Sequence, residues 1–160
     1  MKTLIVLSLF IGQQVATVDC ISDSFKAIRA IEQTLKRNSN KKAVPAAKLA
    51  PAILRLSQEY DVDAMTIARI IMVESKGMEK AYNKRTQDYG LMQLNVHSMA
   101  HYGISKVCAM HWECNLEAGI MLLSEISDGR TCRYNVGSGK LIKGKLRRCI
   151  AYENKIASIN

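Results

Sequence analysis

The sequence is poor in proline, aromatic residues and acid. Only two prolines occur, aromatic residues make up 6%, and 14 Asp and Glu face 23 Lys and Arg. The shortage of prolines and aromatics argues against an all-β sandwich, whose turns and pleated faces use both. No close cysteine pair has the spacing of a zinc site, and no His-Glu-x-x-His occurs. His97, His101 and His111 are therefore not expected to hold a metal, and no cofactor is implied. What remains is 160 residues, 48% of them hydrophobic, with a net charge of +9. That length fits one domain with a real core, and the apolar fraction argues against a disordered chain.

The N-terminus reads as an export signal over residues 1–19. Lys2 gives the positive start and Leu4 to Ile11 the apolar stretch, far short of the ~20 apolar residues a membrane-spanning helix needs. A buried N-terminal helix or strand is the competing reading. Cleavage is expected near Ala16 or just before Cys20, and Cys20 lacks the small residues before it that a lipid anchor requires. The chain is thus expected to be exported, to a periplasm or cell envelope, or to a virion if a phage encodes it. In such a compartment the five cysteines read as disulfide formers, and if Cys20 is retained the count is odd and one thiol is free.

The basic excess concentrates in Lys36-Arg37, Lys41-Lys42 and the run from Lys140 to Arg148. No basic helix is interleaved with stacking aromatics, so nucleic acid is not the expected partner. A polyanionic polymer of the cell envelope fits an exported protein better. A merely solvated basic surface is the bland alternative.

Apolar periodicity predicts a mainly α architecture. Asp23 to Lys36 forms a short amphipathic helix carrying Phe25, Ile28, Ile31 and Leu35, and a polar linker follows, so that residues 20–43 precede a globular region over 44–160. Ala47 to Tyr60 is the next helix, with Pro51 limiting its start. Asp63 is a good N-cap for a helix that ends near Gly77, with Val62 and Ile67 at staple positions. Val96 to Tyr102, Asn115 to Ile126 and Leu146 to Ile159 complete the helices, and strand signals are sparse.

Glu74 breaks this pattern. It follows Ile67 and Ile71 on the stripe that should face the core. An unpaired carboxylate there is costly, and burial raises its pKa and keeps it protonated. A protonated carboxyl at neutral pH is what a general acid acting on a glycosidic oxygen requires. The alternative is a glutamate at a helix end that simply reaches water or an arginine. The stretch Asp88-Tyr89-Gly90-Leu91-Met92-Gln93-Leu94-Asn95 poses a second puzzle, because a polar turn runs directly into apolar residues.

Glu74-Ser75, then Gly90-Leu91-Met92-Gln93, then Tyr134-Asn135-x-Gly137, then Tyr152 occur in this order. The set resembles the lytic transglycosylases of the soluble lytic transglycosylase and goose-lysozyme-like clan, over roughly Val44 to the end. It is most similar to the small exported members. Cys114-Asn115-Leu116 followed by Gly119 looks like that family's helix after the motif. The resemblance implies a lysozyme-like helical domain with a catalytic cleft. Its substrate would be peptidoglycan glycan strands, cut between N-acetylmuramic acid and N-acetylglucosamine with formation of a 1,6-anhydro end. Glu74 would serve as acid and then base, Ser75 would hydrogen-bond and orient Glu74 or the substrate, and Tyr152 would hold the glutamate from the other side. Tyr134 and Asn135 would line the cleft. Gly90 would let the backbone pass close to the glycan, Met92 would offer a soft face to a sugar ring, and Gln93 would bond hydroxyl or acetamido groups, with Leu91 packing beside them. No second acid is tied to Glu74, since Asp88 and Asp128 read as turn or cap residues. One acid suffices where the substrate's own 6-hydroxyl is the nucleophile.

The resemblance further implies a partner in a secretion system, a conjugation machine or a phage injection apparatus, and a monomer. Arg133 departs from the family pattern, turning outward or contacting a peptide-stem carboxylate. Cys132 beside the Tyr134 motif suggests a disulfide to Cys149 that would tie two cleft walls together. Gly137 to Lys145 fails the spacing of a phosphate loop and reads as a basic rim. His97 and His101 share a helix face, as surface residues or sugar contacts. The rival readings are a hydrolytic muramidase and a non-catalytic wall-binding assembly protein.

Overall fold

The structure, a computed structural model, describes residues 21–37, 39–126, 131–136 and 143–159. The apolar segment Leu4 to Ile11, Ala16, Cys20, Asp128 and the stretch 137–142 lie outside the described residues. No helix among the described residues is long and apolar enough to cross a membrane.

The chain runs through α1 (21–37), α2 (Ala46–Glu59) and α3 (Ala64–Glu74), then three two-residue strands, β1 (Tyr82–Asn83), β2 (Asp88–Tyr89) and β3 (Leu94–Asn95). It continues through α4 (Val96–His101), α5 (Lys106–Ala109), α6 (Trp112–Ile126), α7 (Arg133–Val136) and α8 (Lys143–Ala157). The mainly α expectation holds. The small sheet, α5 and α7 are additions to it, and α6 and α8 each begin about a turn earlier than periodicity places them.

Asp63 caps α3, its Oδ2 accepting from the Thr66 amide at 2.7 Å. The helix ends one residue before Ser75, and Gly77 takes a φ of +80° beyond it. Pro51 does not limit the start of α2; it sits inside the helix. The backbone bond it cannot donate would reach Ala47, whose carbonyl lies on the exposed face where water can replace it. Phe25 is also placed differently from expectation: it is 62% exposed, while Ile31 and Leu35 of the same helix are buried.

One hydrophobic cluster joins α1, α2, α3, α6 and α8 around Ile53, Ile67, Ile71, Leu116 and Ile120. A smaller one, with Tyr89, Leu94, Met99 and Leu122, lies beneath the sheet. Leu91 and Met92 connect loop to main core, both fully buried. Met92 fits because α6 has no side chain at Gly119, where a Cβ would stand 2.5 Å from its sulfur. The sheet is antiparallel in the order β1-β2-β3, with Asn83 opposite Asp88 and Asp88 opposite Asn95. This register turns Asp88 to one face of the sheet and Tyr89 to the other.

Candidate active site

A cleft of about 810 Å³ opens between the sheet, α4 and the C-terminal helices. Glu74 reaches it from the last residue of α3. Asp88, Gln93 and Asn95 form one wall, and Tyr134 and Asn135 of α7 with Arg148 of α8 form another. His97 and His101 of α4 also line it.

Glu74 is part-buried, and its Oε1 accepts a hydrogen bond of 2.6 Å from the Tyr152 hydroxyl. Burial pushes the carboxyl above its ordinary value; the Tyr152 bond and the Lys155 ammonium pull the other way, and the Asp88 charge adds to the rise. The Tyr152 phenol is raised in turn by its burial, by the Glu74 charge and by that bond, so it stays protonated and donating. Tyr134 is likewise raised, chiefly by burial and then by Glu74 and Asp88. The cleft therefore holds a carboxyl biased toward its acid form, supported by a neutral donor.

Ser75 does not bond Glu74. Its hydroxyl donates to the Ile71 carbonyl at 3.3 Å and accepts from the Gly77 amide at 3.1 Å, buried at the end of α3. A serine immediately after the last helical residue is well placed to satisfy the orphan groups there, so it shapes the turn that leaves Glu74 at the cleft.

The Gly90–Gln93 stretch divides in two. Gly90 is buried, with φ +75°, and an added Cβ would lie 2.0 Å from the Ala109 carbonyl oxygen and 2.4 Å from Asn115 Nδ2. Its missing side chain makes room for α6 and the end of α5, where passage of a glycan was expected. Met92 is equally a core residue, fully buried against Gly119, and offers no face to a sugar. Leu91 packs, as expected. Gln93 alone of the four lines the cleft, with Nε2 donating to the carbonyls of Gly90 at 2.9 Å and Ala81 at 3.3 Å. Its side-chain oxygen has no bond among the described residues. Tyr134 lines the cleft and donates its hydroxyl to the Met92 carbonyl at 2.8 Å, and Asn135 is exposed beside it.

The residue that holds the loop in place is Asn115, which has no assigned role in the sequence reading. It is fully buried. Its Oδ1 accepts from the Met92 amide at 2.7 Å, and its Nδ2 donates to the carbonyls of Tyr89 at 2.9 Å and Ala109 at 2.7 Å. The available signal was its place four before Gly119 on the inward stripe of α6, where a polar side chain must find partners.

Asp88 lines the cleft but is committed to its hairpin: it accepts from Asn95 Nδ2 at 2.7 Å and from the Thr86 hydroxyl. It acts on Glu74 through charge. Disulfides join Cys132 to Cys149 and Cys108 to Cys114. The first ties α7, with Tyr134 and Asn135, to α8, with Arg148 and Tyr152. Cys132, Cys149 and Glu153 come within 4.8 Å of one another, but both sulfurs are in the disulfide and offer no thiolate to a metal. Arg133 does not line the cleft.

A family model described as Transglycosylase SLT domain matches residues 51–148. No curated protein matches the chain.

Proposed function

As the chain belongs to the transglycosylase SLT domain family, a lysozyme-like group of lytic transglycosylases acting on peptidoglycan, we propose that it cuts the β-1,4 bond between N-acetylmuramic acid and N-acetylglucosamine and leaves a 1,6-anhydro end. The observation that carries this reading is a part-buried carboxyl, held by Tyr152 and raised in pKa, that lines the cleft.

In the first half of the reaction Glu74 gives its proton to the bridging oxygen as the bond to the anomeric carbon breaks. The N-acetylglucosamine alcohol leaves, and positive charge builds on the muramoyl ring. The muramoyl 6-hydroxyl then bonds to the anomeric carbon and passes its proton to the Glu74 carboxylate, which restores the acid. Tyr152 keeps the carboxyl oriented through both transfers. Because the nucleophile belongs to the substrate, no second carboxylate is needed, and its proximity supplies part of the rate. Asp88, already bonded to Thr86 and Asn95, is left to raise the affinity of Glu74 for its proton. Gln93 and Asn135 offer amide groups to sugar hydroxyl and acetamido groups.

The catalytic domain is assigned to residues 44–160, and the two disulfides support maturation in an oxidising compartment after export. Local opening of the wall for a secretion, conjugation or phage apparatus is the proposed role, supported by the resemblance to exported family members that accompany such machines. Mass spectrometry of products from purified sacculi tests the chemistry. Anhydro ends are expected, and intact reducing ends would assign the protein as a hydrolytic muramidase instead.

A further inference from the structure

Two arginines that line the cleft have no role in the chemistry above. Arg85 reaches the cleft from the β1–β2 turn and Arg148 from α8. Both are exposed, and neither has an ion-pair partner among the described residues. The acids of the cleft do not compensate them: Glu74 is bonded to Tyr152, and Asp88 to Thr86 and Asn95.

Each arginine stands on a braced base. Asn83 Oδ1 accepts from the Arg85 amide at 3.2 Å, and Asn95 Nδ2 donates to the Thr86 carbonyl at 2.9 Å, so the turn that presents Arg85 is fixed at two points. Arg148 precedes Cys149, whose disulfide fastens α8 to α7. Rigid bases reduce the ordering cost of binding at flexible side chains. A guanidinium's planar fork fits a carboxylate better than a hydroxyl or an amide carbonyl.

We propose that Arg85 and Arg148 form a carboxylate-recognition site at the rim of the cleft, which takes the peptide-stem carboxylates of the wall polymer and selects peptide-bearing strands over bare glycan. The site deepens the reading above and rests on it: sugars occupy the cleft beside Glu74 and Gln93, while the stems they carry extend to the two arginines. A merely solvated basic surface would hold its charges anywhere; here both arginines line the groove that holds the acid.

Binding separates this site from the cleavage chemistry. The full chain carrying Glu74→Gln, and the same chain with Arg85→Ala and Arg148→Ala added, are titrated with soluble glycan strands bearing intact stems and with the same strands stripped of peptide by an amidase. The Glu74→Gln protein is expected to favour the peptide-bearing strands by about ten-fold or more, the scale of one or two charge-assisted hydrogen bonds. Adding both arginine substitutions should remove that preference, and Arg85→Lys with Arg148→Lys should restore only part of it. Equal binding of the two strands by the Glu74→Gln protein, or a preference that survives loss of both arginines, overturns the site. Selective binding by a protein whose unsubstituted form releases no anhydro product would instead overturn the proposed reaction and leave the carboxylate site standing.

Discussion

Tyr152 donates its hydroxyl to Glu74 Oε1 at 2.6 Å, joining α8 to the end of α3 across 78 positions of chain. The contact fixes one carboxylate oxygen, and among the described residues the other has no hydrogen-bond partner.

Replacing Glu74 by Gln should lower turnover of peptidoglycan by roughly a hundred- to ten-thousand-fold, the range of general-acid contributions. The same change should stabilise the protein at neutral pH. Glu74 has a folded-state pKa above its unfolded value. The stability linked to its proton is therefore complete below the unfolded pKa and is lost as pH rises through the folded one. The amide retains an acceptor for Tyr152 and carries no charge to bury. Thermal unfolding over a pH series should show the variant ahead at neutral pH, with the gap closing in acid; a gap that widens in acid would reverse the sign.

The pH profile of kcat/KM should place the alkaline limb at the raised pKa of Glu74. Tyr152→Phe removes an interaction that lowers that pKa, so the limb should move to higher pH. Asp88→Asn removes one that raises it, so the limb should move to lower pH. Opposite displacements in the two variants distinguish tuning of the acid from a general loss of activity. Limbs that stay together would detach both residues from Glu74.

Asn115→Ala should cost about 3–5 kcal/mol, because it leaves the Met92 amide and the Tyr89 and Ala109 carbonyls without their buried partner. Gly90→Ala should cost about 3 kcal/mol or more, since the new methyl meets a backbone oxygen at a positive φ. Urea unfolding measures both. A cost below about 1 kcal/mol for either would mean that the loop does not depend on this junction.

Cys132→Ala with Cys149→Ala should cost about 3 kcal/mol for a closed segment of this length, with a separation of 17. The variant should also lose activity beyond that explained by unfolding, as Tyr134 and Asn135 lose their tie to α8. Activity at a temperature where both proteins remain folded is the measurement, and equal rates would reduce the bond to a stabilising role.

Sequence pattern reached the long helices and Glu74 because both depend on local periodicity: a carboxylate on an apolar stripe stands out wherever the helix packs. The capped start of α3 was legible for the same reason, since Asp63 acts on an amide only three residues away. The sheet was not, because strands of two residues are too short to show alternation. Gly90 and Met92 stand out in the sequence, but the motif around them points to the ligand. Their constraint comes from Asn115 and Gly119, distant in sequence, and a glycine that makes room for a helix looks the same in sequence as one that makes room for a sugar. Arg85 carried no signal at all, and Arg148 was one of several charges in a basic run.

The Asn115 amide behaves as an inserted peptide group, with its one acceptor and both donors engaged. The loop consequently cannot complete its backbone pairing until α6 has docked, and α6 cannot leave without stripping the loop. In hydrogen exchange, the Met92 amide should report the opening of the whole domain, at the rate of the slowest helix amides, although it belongs to a loop.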